Sequence, residues 1–345
     1  MSARAESSQV SRPIILDTDI GTDVDDAMAL ALALASPELE LVGITVVHGD
    51  APVRARIARK LTEFAGRAEI PVVAGASLPL AMPLPENFHW MPRLRGHEGR
   101  GLLSATELEP SADLEATGDD AAQFIIREAE RFGGQLELVT IGSLSNIGRA
   151  LQLAPHLSGQ IRRITAMGST VYAERFPWPP MLETNFNCDP LATRLVFESG
   201  IPLTIVPMEI TTQVFLRETE RARLRSLGTR LSDALVEMMD GMLTGMAGLS
   251  SEVGLSEDFY QGRTFMHDPL AVAVAFNSEL IEVRDLHVKL EVVEQVLRTM
   301  PEADLEPNVR VAVNVDSAGF VKFWLERVEQ LCLARATLTS ARSAS

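Results

Sequence analysis

Five aspartates lie within ten residues near the start of the chain: Asp17, Asp19, Asp23, Asp25 and Asp26. Carboxylates this close repel one another by several kcal/mol near a protein surface, so the cluster needs a counter-charge. A bound cation is the simplest one. Because every side-chain donor on offer is a hard oxygen, the cluster predicts a site for calcium or magnesium and not for zinc, iron or copper.

This cluster lies where one hydrophobic pattern changes to another. An apolar, strand-like run precedes it and an apolar, helix-like run follows it. Asp25 and Asp26 fall in the first turn of the predicted helix, where the helix dipole favours negative charge, but capping does not account for Asp17 and Asp19 at the strand end. Successive helix residues point about 100° apart. We therefore expect one of Asp25 and Asp26 to bind the ion and the other to bind a substrate hydroxyl.

The composition limits the kinds of partner. The chain has 345 residues, of which 46% are apolar and 23% charged, as is typical of globular proteins with a large core. Its formal net charge is −16 and its pI is near 4.9. Because no segment is rich in Lys or Arg, we expect a small neutral substrate and no nucleic-acid partner.

Cysteine content and hydropathy indicate the compartment. Cys188 and Cys332 are too few for a disulfide framework, and the opening residues lack the apolar core of a signal peptide. The longest apolar run, 27–35, is far shorter than the ~20 residues of a membrane span. The sequence therefore predicts a cytoplasmic protein with no membrane role.

Strand-like and helical segments alternate along most of the chain, which predicts a single-domain α/β fold with a mainly parallel, Rossmann-like central sheet flanked by helices. We expect this domain over 12–335, a disordered N-terminus over 1–11 and a flexible tail over 336–345. The β-rich runs are 13–17, 40–47, 70–74, 136–141, 161–167 and 202–207, and helical stretches include 51–65, 119–132, 145–154 and 188–199. Later segments are helical over 217–248, strand-like at 286–293 and 308–314, and helical at 317–334.

Two long loops, 75–117 and 168–187, follow predicted strands and are candidate walls of a pocket. Active sites in such sheets lie at the carboxyl ends of the strands. Four shorter motifs fall at such positions, although each alone also fits an ordinary cap or turn. They are GITVVHGD at 43–50, IGSLSNIG at 141–148, ETNFNCDP at 183–190 and MHDPLAVA at 266–273.

Together these segments resemble the inosine–uridine nucleoside hydrolase family, in order along the chain. The resemblance rests on six groups of residues: Asp17-Thr18-Asp19-Ile20-Gly21, Asp25 to Leu30, Gly142 to Asn146, Met167-Gly168, Glu183 and Asn185 ahead of Asp189-Pro190, and His267-Asp268. It implies the nucleoside hydrolase fold and the hydrolysis of ribonucleosides to ribose and free base. It also implies homodimers or homotetramers.

The same resemblance implies one Ca²⁺ per subunit, held by Asp19, Asp26, Asp268 and the main-chain carbonyl of Ile141. Water activated by the ion would attack the anomeric carbon of the ribose, and Asp19 would also act as the general base. The negative carboxylates would stabilise the oxocarbenium-like transition state.

Further residues are implied in substrate binding. Asp25, Glu183 and Asn185 would bind ribose hydroxyls, and Met167 would pack below the sugar ring. Either His267 or His97 would protonate the leaving base. Asp50 stands where many members have Asn, which favours purines. Trp90 and Trp178, on the two long loops, fit either stacking on the base or packing as lid residues.

The chain departs from the family pattern in two places. Residues 22–24 replace what is commonly a single residue, which leaves the role of Asp23 open, and Pro177 stands where the family supplies an Asn to the ribose 5′-hydroxyl. This second departure keeps open a binding protein that does not cleave its ribosylated ligand. A minor alternative is a magnesium-dependent phosphatase with Asp17 as nucleophile. The calcium loop of EF-hands is excluded because Gly21 and Thr22 stand where it needs an oxygen ligand and a glycine.

Overall fold

A computed structural model describes residues 11–81, 99–109, 118–172, 175, 183–246, 261–277, 279–293 and 296–343 of the chain. Eleven strands are present in this part. They are β1 (Arg12–Thr18), β2 (Leu39–Val46), β3 (Val72–Ala74), β4 (Leu136–Thr140), β5 (Ile161–Met167), β6 (Leu203–Val206), β7 (Phe215–Leu216), β8 (Thr264–Phe265), β9 (Ile281–Val293), β10 (Val296–Glu302) and β11 (Val309–Val315).

Eleven α-helices accompany the strands in the same described ranges, together with a 3₁₀ helix at Pro155–Gly159. They are α1 (Asp25–Ala35), α2 (Ala51–Phe64), α3 (Asp119–Phe132), α4 (Ser145–Leu153), α5 (Thr184–Asn187), α6 (Pro190–Glu198), α7 (Met208–Thr211), α8 (Glu218–Arg225), α9 (Arg230–Met246), α10 (His267–Phe276) and α11 (Ser317–Ser343). None of these helices is long and apolar enough to cross a membrane.

Nine strands form one sheet in the order β10-β9-β11-β6-β5-β4-β1-β2-β3. Neighbours from β3 across to β11 are parallel, and β9 and β10 add an antiparallel edge. The predicted α/β fold with a mainly parallel sheet is confirmed. The closing helix extends beyond its predicted end at 334 to Ser343, into the segment predicted as a tail.

The sequence pattern missed several elements. β10 was not predicted because it is an edge strand with mostly exposed residues and therefore lacks the apolar run of a parallel strand. β7 and β8 form a separate two-stranded sheet with two residues each, too short to show any periodicity.

Both faces of the sheet are covered by helices. Along β1, Ile14 and Leu16 belong to an apolar cluster with α1, α2, α9, α10 and α11, whereas Ile15 belongs to a second cluster with α3, α4 and α6. This alternation follows from the two-residue period of a strand. It also sends the next two side chains, Asp17 and Thr18, to opposite faces.

The strand order reverses beside β1. This strand pairs with β2 on one side and with β4 on the other. The chain therefore runs outward from β1 to β3 and then returns to begin β4 next to β1. In open α/β sheets a crevice forms at such a reversal, outside the carboxyl ends of the strands, and ligands bind there.

Candidate active site

Three buried carboxylates converge at this crevice. Asp25 and Asp26 lie in the first turn of α1, and Asp268 lies in the first turn of α10, which packs against α1. One oxygen from each of the three lies within 4.8 Å of the others. Both helices direct their amino ends at this point, where the helix dipole favours negative charge.

Electrostatics at this group favour a cation. Burial raises the pKa of Asp25, Asp26 and Asp268 well above the usual aspartate range, and the charges of neighbouring aspartates raise it further. Three buried carboxylates with converging oxygens fit a divalent cation that prefers hard oxygen ligands. The group could therefore hold a metal ion.

Asp19 lies beside this group, in the turn after β1. Burial raises the pKa of Asp19, while the positive charge of Arg54 lowers it. The charge of Asp19 contributes to the raised pKa of Asp26 and Asp268. A Cβ atom on Gly142 would lie 2.9 Å from the main-chain nitrogen of Asp19 and 3.1 Å from its Oδ1. Glycine at this position therefore allows the turn to approach the end of β4.

Asn185 of α5 joins the carboxyl ends of β4 and β5. Nδ2 of Asn185 lies 3.0 Å from the main-chain oxygen of Ile141 and 3.2 Å from that of Met167, and it donates to both. It also lies 3.4 Å from Sδ of Met167. These contacts bring together three of the residues predicted from the sequence.

Glu183 caps the amino end of α5. Its carboxylate accepts hydrogen bonds from the main-chain N–H groups of Asn185 and Phe186. Burial raises the pKa of Glu183 to about 7, and the charge of Asp19 adds a small upward contribution. Burial and the charge of Asp19 therefore both disfavour the ionised form of Glu183.

His267 is the first residue of α10 and is buried. Its Nδ1 lies 2.7 Å from Oγ1 of Thr211, and its ring stacks on Phe265 with 5.3 Å between centroids. Burial lowers the pKa of His267 to about 4. The imidazole is therefore neutral at pH 7.

Other predicted residues have structural contacts. Asp50 caps α2, with its Oδ1 3.0 Å from the main-chain nitrogen of Val53. Oδ2 of Asp17 accepts hydrogen bonds from Thr45 at 2.6 Å and from Asn146 at 2.8 Å. These two hydrogen bonds tie β1 to β2 and α4, which supports a structural role for the buried carboxylate of Asp17. His97, Trp90 and Trp178 lie outside the described residues.

The chain is similar to known proteins along nearly its whole length. Residues 14–322 match the family model for inosine-uridine preferring nucleoside hydrolase. The chain is 30% identical over 333 residues to a pyrimidine-specific ribonucleoside hydrolase, RihA, of Enterobacter sp. (strain 638), covering 93% of this chain and 99% of the relative. A solved structure of a purine-preferring ribonucleoside hydrolase from Gardnerella vaginalis is 29% identical, with a TM-score of 0.75 over 93% of this chain and 99% of the other.

The chain belongs to the inosine-uridine preferring nucleoside hydrolase family. It is a hydrolase that acts on N-glycosyl compounds, and the family and its relatives support ribonucleoside hydrolysis. The family resemblance inferred from the sequence is therefore confirmed.

One residue at the site of this nucleoside hydrolase was missed. Arg54 of α2 is fully buried, and it donates hydrogen bonds to the main-chain oxygens of Asp19, Ile20 and His48 and to Oγ1 of Thr22. A signal was present in the sequence. Arg54 stands at a helical spacing shared with buried alanines of α2, where a charged side chain is unusual.

Proposed function

We propose that this nucleoside hydrolase cleaves the N-glycosidic bond of ribonucleosides in a calcium-dependent reaction, with Asp19 as general base. The observation that carries the proposal is the convergence of three buried carboxylates beside Asp19 at the reversal point of a parallel sheet. An anionic crevice of this kind suits a reaction in which positive charge develops on the sugar.

The proposed ligands of the ion are Asp19, Asp26, Asp268 and the main-chain oxygen of Ile141. Together with water and two ribose hydroxyls, these oxygens would approach a coordination number of seven or eight. This number suits calcium better than magnesium, which requires octahedral coordination. Calcium bound there would polarise a water molecule and make it a better nucleophile. Asp25 would accept a hydrogen bond from a ribose hydroxyl, and its nearness to the other two carboxylates supports placing the sugar against the ion site.

The chain's own carboxylates would perform the proton transfer and the charge stabilisation. Asp19 would take the proton from the attacking water. Asp25, Asp26 and Asp268 would present negative charge to the electron-poor ribose as the base departs.

Asn185, Glu183 and Met167 would bind the sugar. The hydrogen bonds from Nδ2 of Asn185 to two main-chain oxygens fix the plane of its amide, which supports a role in orienting a hydroxyl. The cap made by Glu183 likewise fixes its carboxylate. Met167, at the end of β5, would pack below the ribose ring.

His267 would assist the leaving base. As a neutral imidazole it would donate a hydrogen bond from a ring N–H, with Thr211 orienting the ring through Nδ1. His97 is a second proposed proton donor, and Trp90 and Trp178 are proposed contacts of the base.

The relatives differ in base preference, since one is named as pyrimidine-specific and another as purine-preferring at nearly equal identity. Asp50, which caps α2 through Oδ1, remains the proposed residue that would favour purines. Release of free base from inosine, adenosine, guanosine, uridine and cytidine, followed by chromatography, tests the function. We expect stoichiometric base and ribose from at least one of them. Tight binding of nucleosides with no release would favour the non-catalytic binding protein.

We infer a cytoplasmic homodimer or homotetramer acting on free nucleosides. Light scattering coupled to size exclusion would give the mass, and a monomer of 37.6 kDa would contradict the inferred assembly.

A further inference from the structure

We propose that Arg54 is a positioning residue that clamps the turn after β1 and thereby sets where Asp19 lies. Its role toward the ion site rests on the function proposed above. Three separate parts of the guanidinium contact the turn and the end of β2. Nε donates to the main-chain oxygen of His48 at 2.7 Å. Nη1 donates to the main-chain oxygens of Asp19 and, at 3.0 Å, of Ile20, and Nη2 donates to Oγ1 of Thr22 at 3.0 Å.

These contacts add to the local hydrogen bonds of the turn, such as the one from the main-chain N–H of Ile20 to Oγ1 of Thr18. The turn over 19–24 joins β1 to α1 without regular hydrogen bonding, and it carries the residues by which this chain departs from the common family pattern. At its other end the clamp holds His48, whose backbone has φ of 71°, a conformation that residues other than glycine rarely adopt. Such strain persists only where surrounding contacts over-determine the backbone.

The planar fork of arginine is suited to this role. It presents five donors in a fixed geometry, whereas lysine offers one mobile ammonium group that cannot reach the same acceptors together. Because Arg54 is fully buried, the fork is shielded from competing water. A simple counter-charge to the aspartates would not need these main-chain contacts.

Two substitutions separate the clamp from a counter-charge. Arg54→Lys keeps the positive charge but lacks the planar guanidinium and its set of donors. Arg54→Gln lacks both the charge and the guanidinium. A clamp predicts weaker calcium binding in both variants, whereas a mere counter-charge predicts unchanged binding in Arg54→Lys and tighter binding in Arg54→Gln. Arg59→Lys is the matched control, since Arg59 of the same helix donates to the main-chain oxygen of Val72, at the start of β3 and away from the crevice.

The decisive measurement is hydrogen exchange of the calcium-free protein, read on the peptide that covers residues 19–26. In Arg54→Lys we expect exchange there to accelerate by about tenfold or more, because hydrogen bonds from a charged donor are lost, and to stay unchanged in Arg59→Lys. If this peptide exchanges at the same rate in Arg54→Lys as in the wild-type protein, the proposal is overturned. Isothermal titration with calcium is the second readout, with affinity expected to fall about tenfold.

Failure of the calcium function can be told apart from failure of the proposed role of Arg54. If the wild-type protein binds no calcium, the metal function fails while hydrogen exchange still decides the role of Arg54. If wild type binds calcium and Arg54→Gln binds it more tightly, the clamp is refuted and the metal function stands.

Discussion

The side-chain hydroxyl of Thr18 donates a hydrogen bond to Oδ1 of Asp26, and it therefore joins the last residue of β1 to the first turn of α1. The bond spans the turn that carries Asp19 and the atypical segment 22–24. Asp25 and Asp26 keep their place at the start of the helix despite that segment, as the sequence predicted.

Replacing Thr18 by Val should weaken calcium binding and lower thermal stability. Val keeps the shape of the side chain but removes a hydrogen bond to a charged acceptor, which contributes about 1.5–3 kcal/mol. Calorimetric titration and thermal denaturation measure the two effects. Thr18→Ser is the control, because it keeps the hydroxyl, and similar losses in both variants would argue against the contact.

Asp19→Asn should abolish most of the turnover while the protein still folds. Loss of a general base lowers kcat by about 10²–10⁴-fold. Cys188→Ser is a useful comparison, since Cys188 is buried close to Asp19 and burial keeps its pKa well above the usual thiol range. No step uses a thiol, so this variant should retain nearly full activity in steady-state assays. Equal losses from the two substitutions would refute the assigned roles.

The raised pKa of Glu183 should appear in the pH dependence of stability. Its pKa rises from 4.5 to about 7 on folding, so the folded state binds the proton more tightly. The resulting stabilisation is complete below pH 4.5 and is lost as pH rises through about 7, which amounts to about 3 kcal/mol. Denaturant titrations in chelator, compared between wild type and Glu183→Gln from pH 4.5 to 8, would measure it. A constant difference between the two proteins across that range would contradict this assignment.

Calcium should raise the melting temperature of the protein. A ligand at 100 times its Kd stabilises the folded state by about 2.7 kcal/mol. Asp268→Asn should remove most of this effect, whereas zinc should not reproduce it. The effect should fade as pH falls below neutral, because the raised pKa values of Asp26 and Asp268 mean that protons compete with the ion. An increase of the same size at pH 4 would contradict ligation by these aspartates.

Much of the fold could be predicted because parallel strands buried on both faces leave long apolar runs in the sequence. The same reasoning failed at β10, whose residues are mostly exposed at an edge of the sheet. It also failed at α5, which is a single turn defined by the cap of Glu183 and not by periodicity.

The candidate site was predicted where side chains follow strand ends, and less well where separate elements meet. Asp25 and Asp26 were expected to diverge by about 100°, yet an oxygen of each approaches Asp268. The helical angle describes the Cβ directions, whereas carboxylate oxygens reach further and can turn inward. The contacts of Arg54 could not be predicted because most of its partners are main-chain oxygens, although its spacing with the buried alanines of α2 was a signal.

The most direct test of the central claim is ribose release by the purified protein with added calcium, in a calcium chelator, and after calcium is restored. The proposed mechanism predicts release that the chelator stops and calcium restores, with Asp268→Asn inactive under every condition. Undiminished release in the chelator would contradict a calcium-dependent reaction at these aspartates.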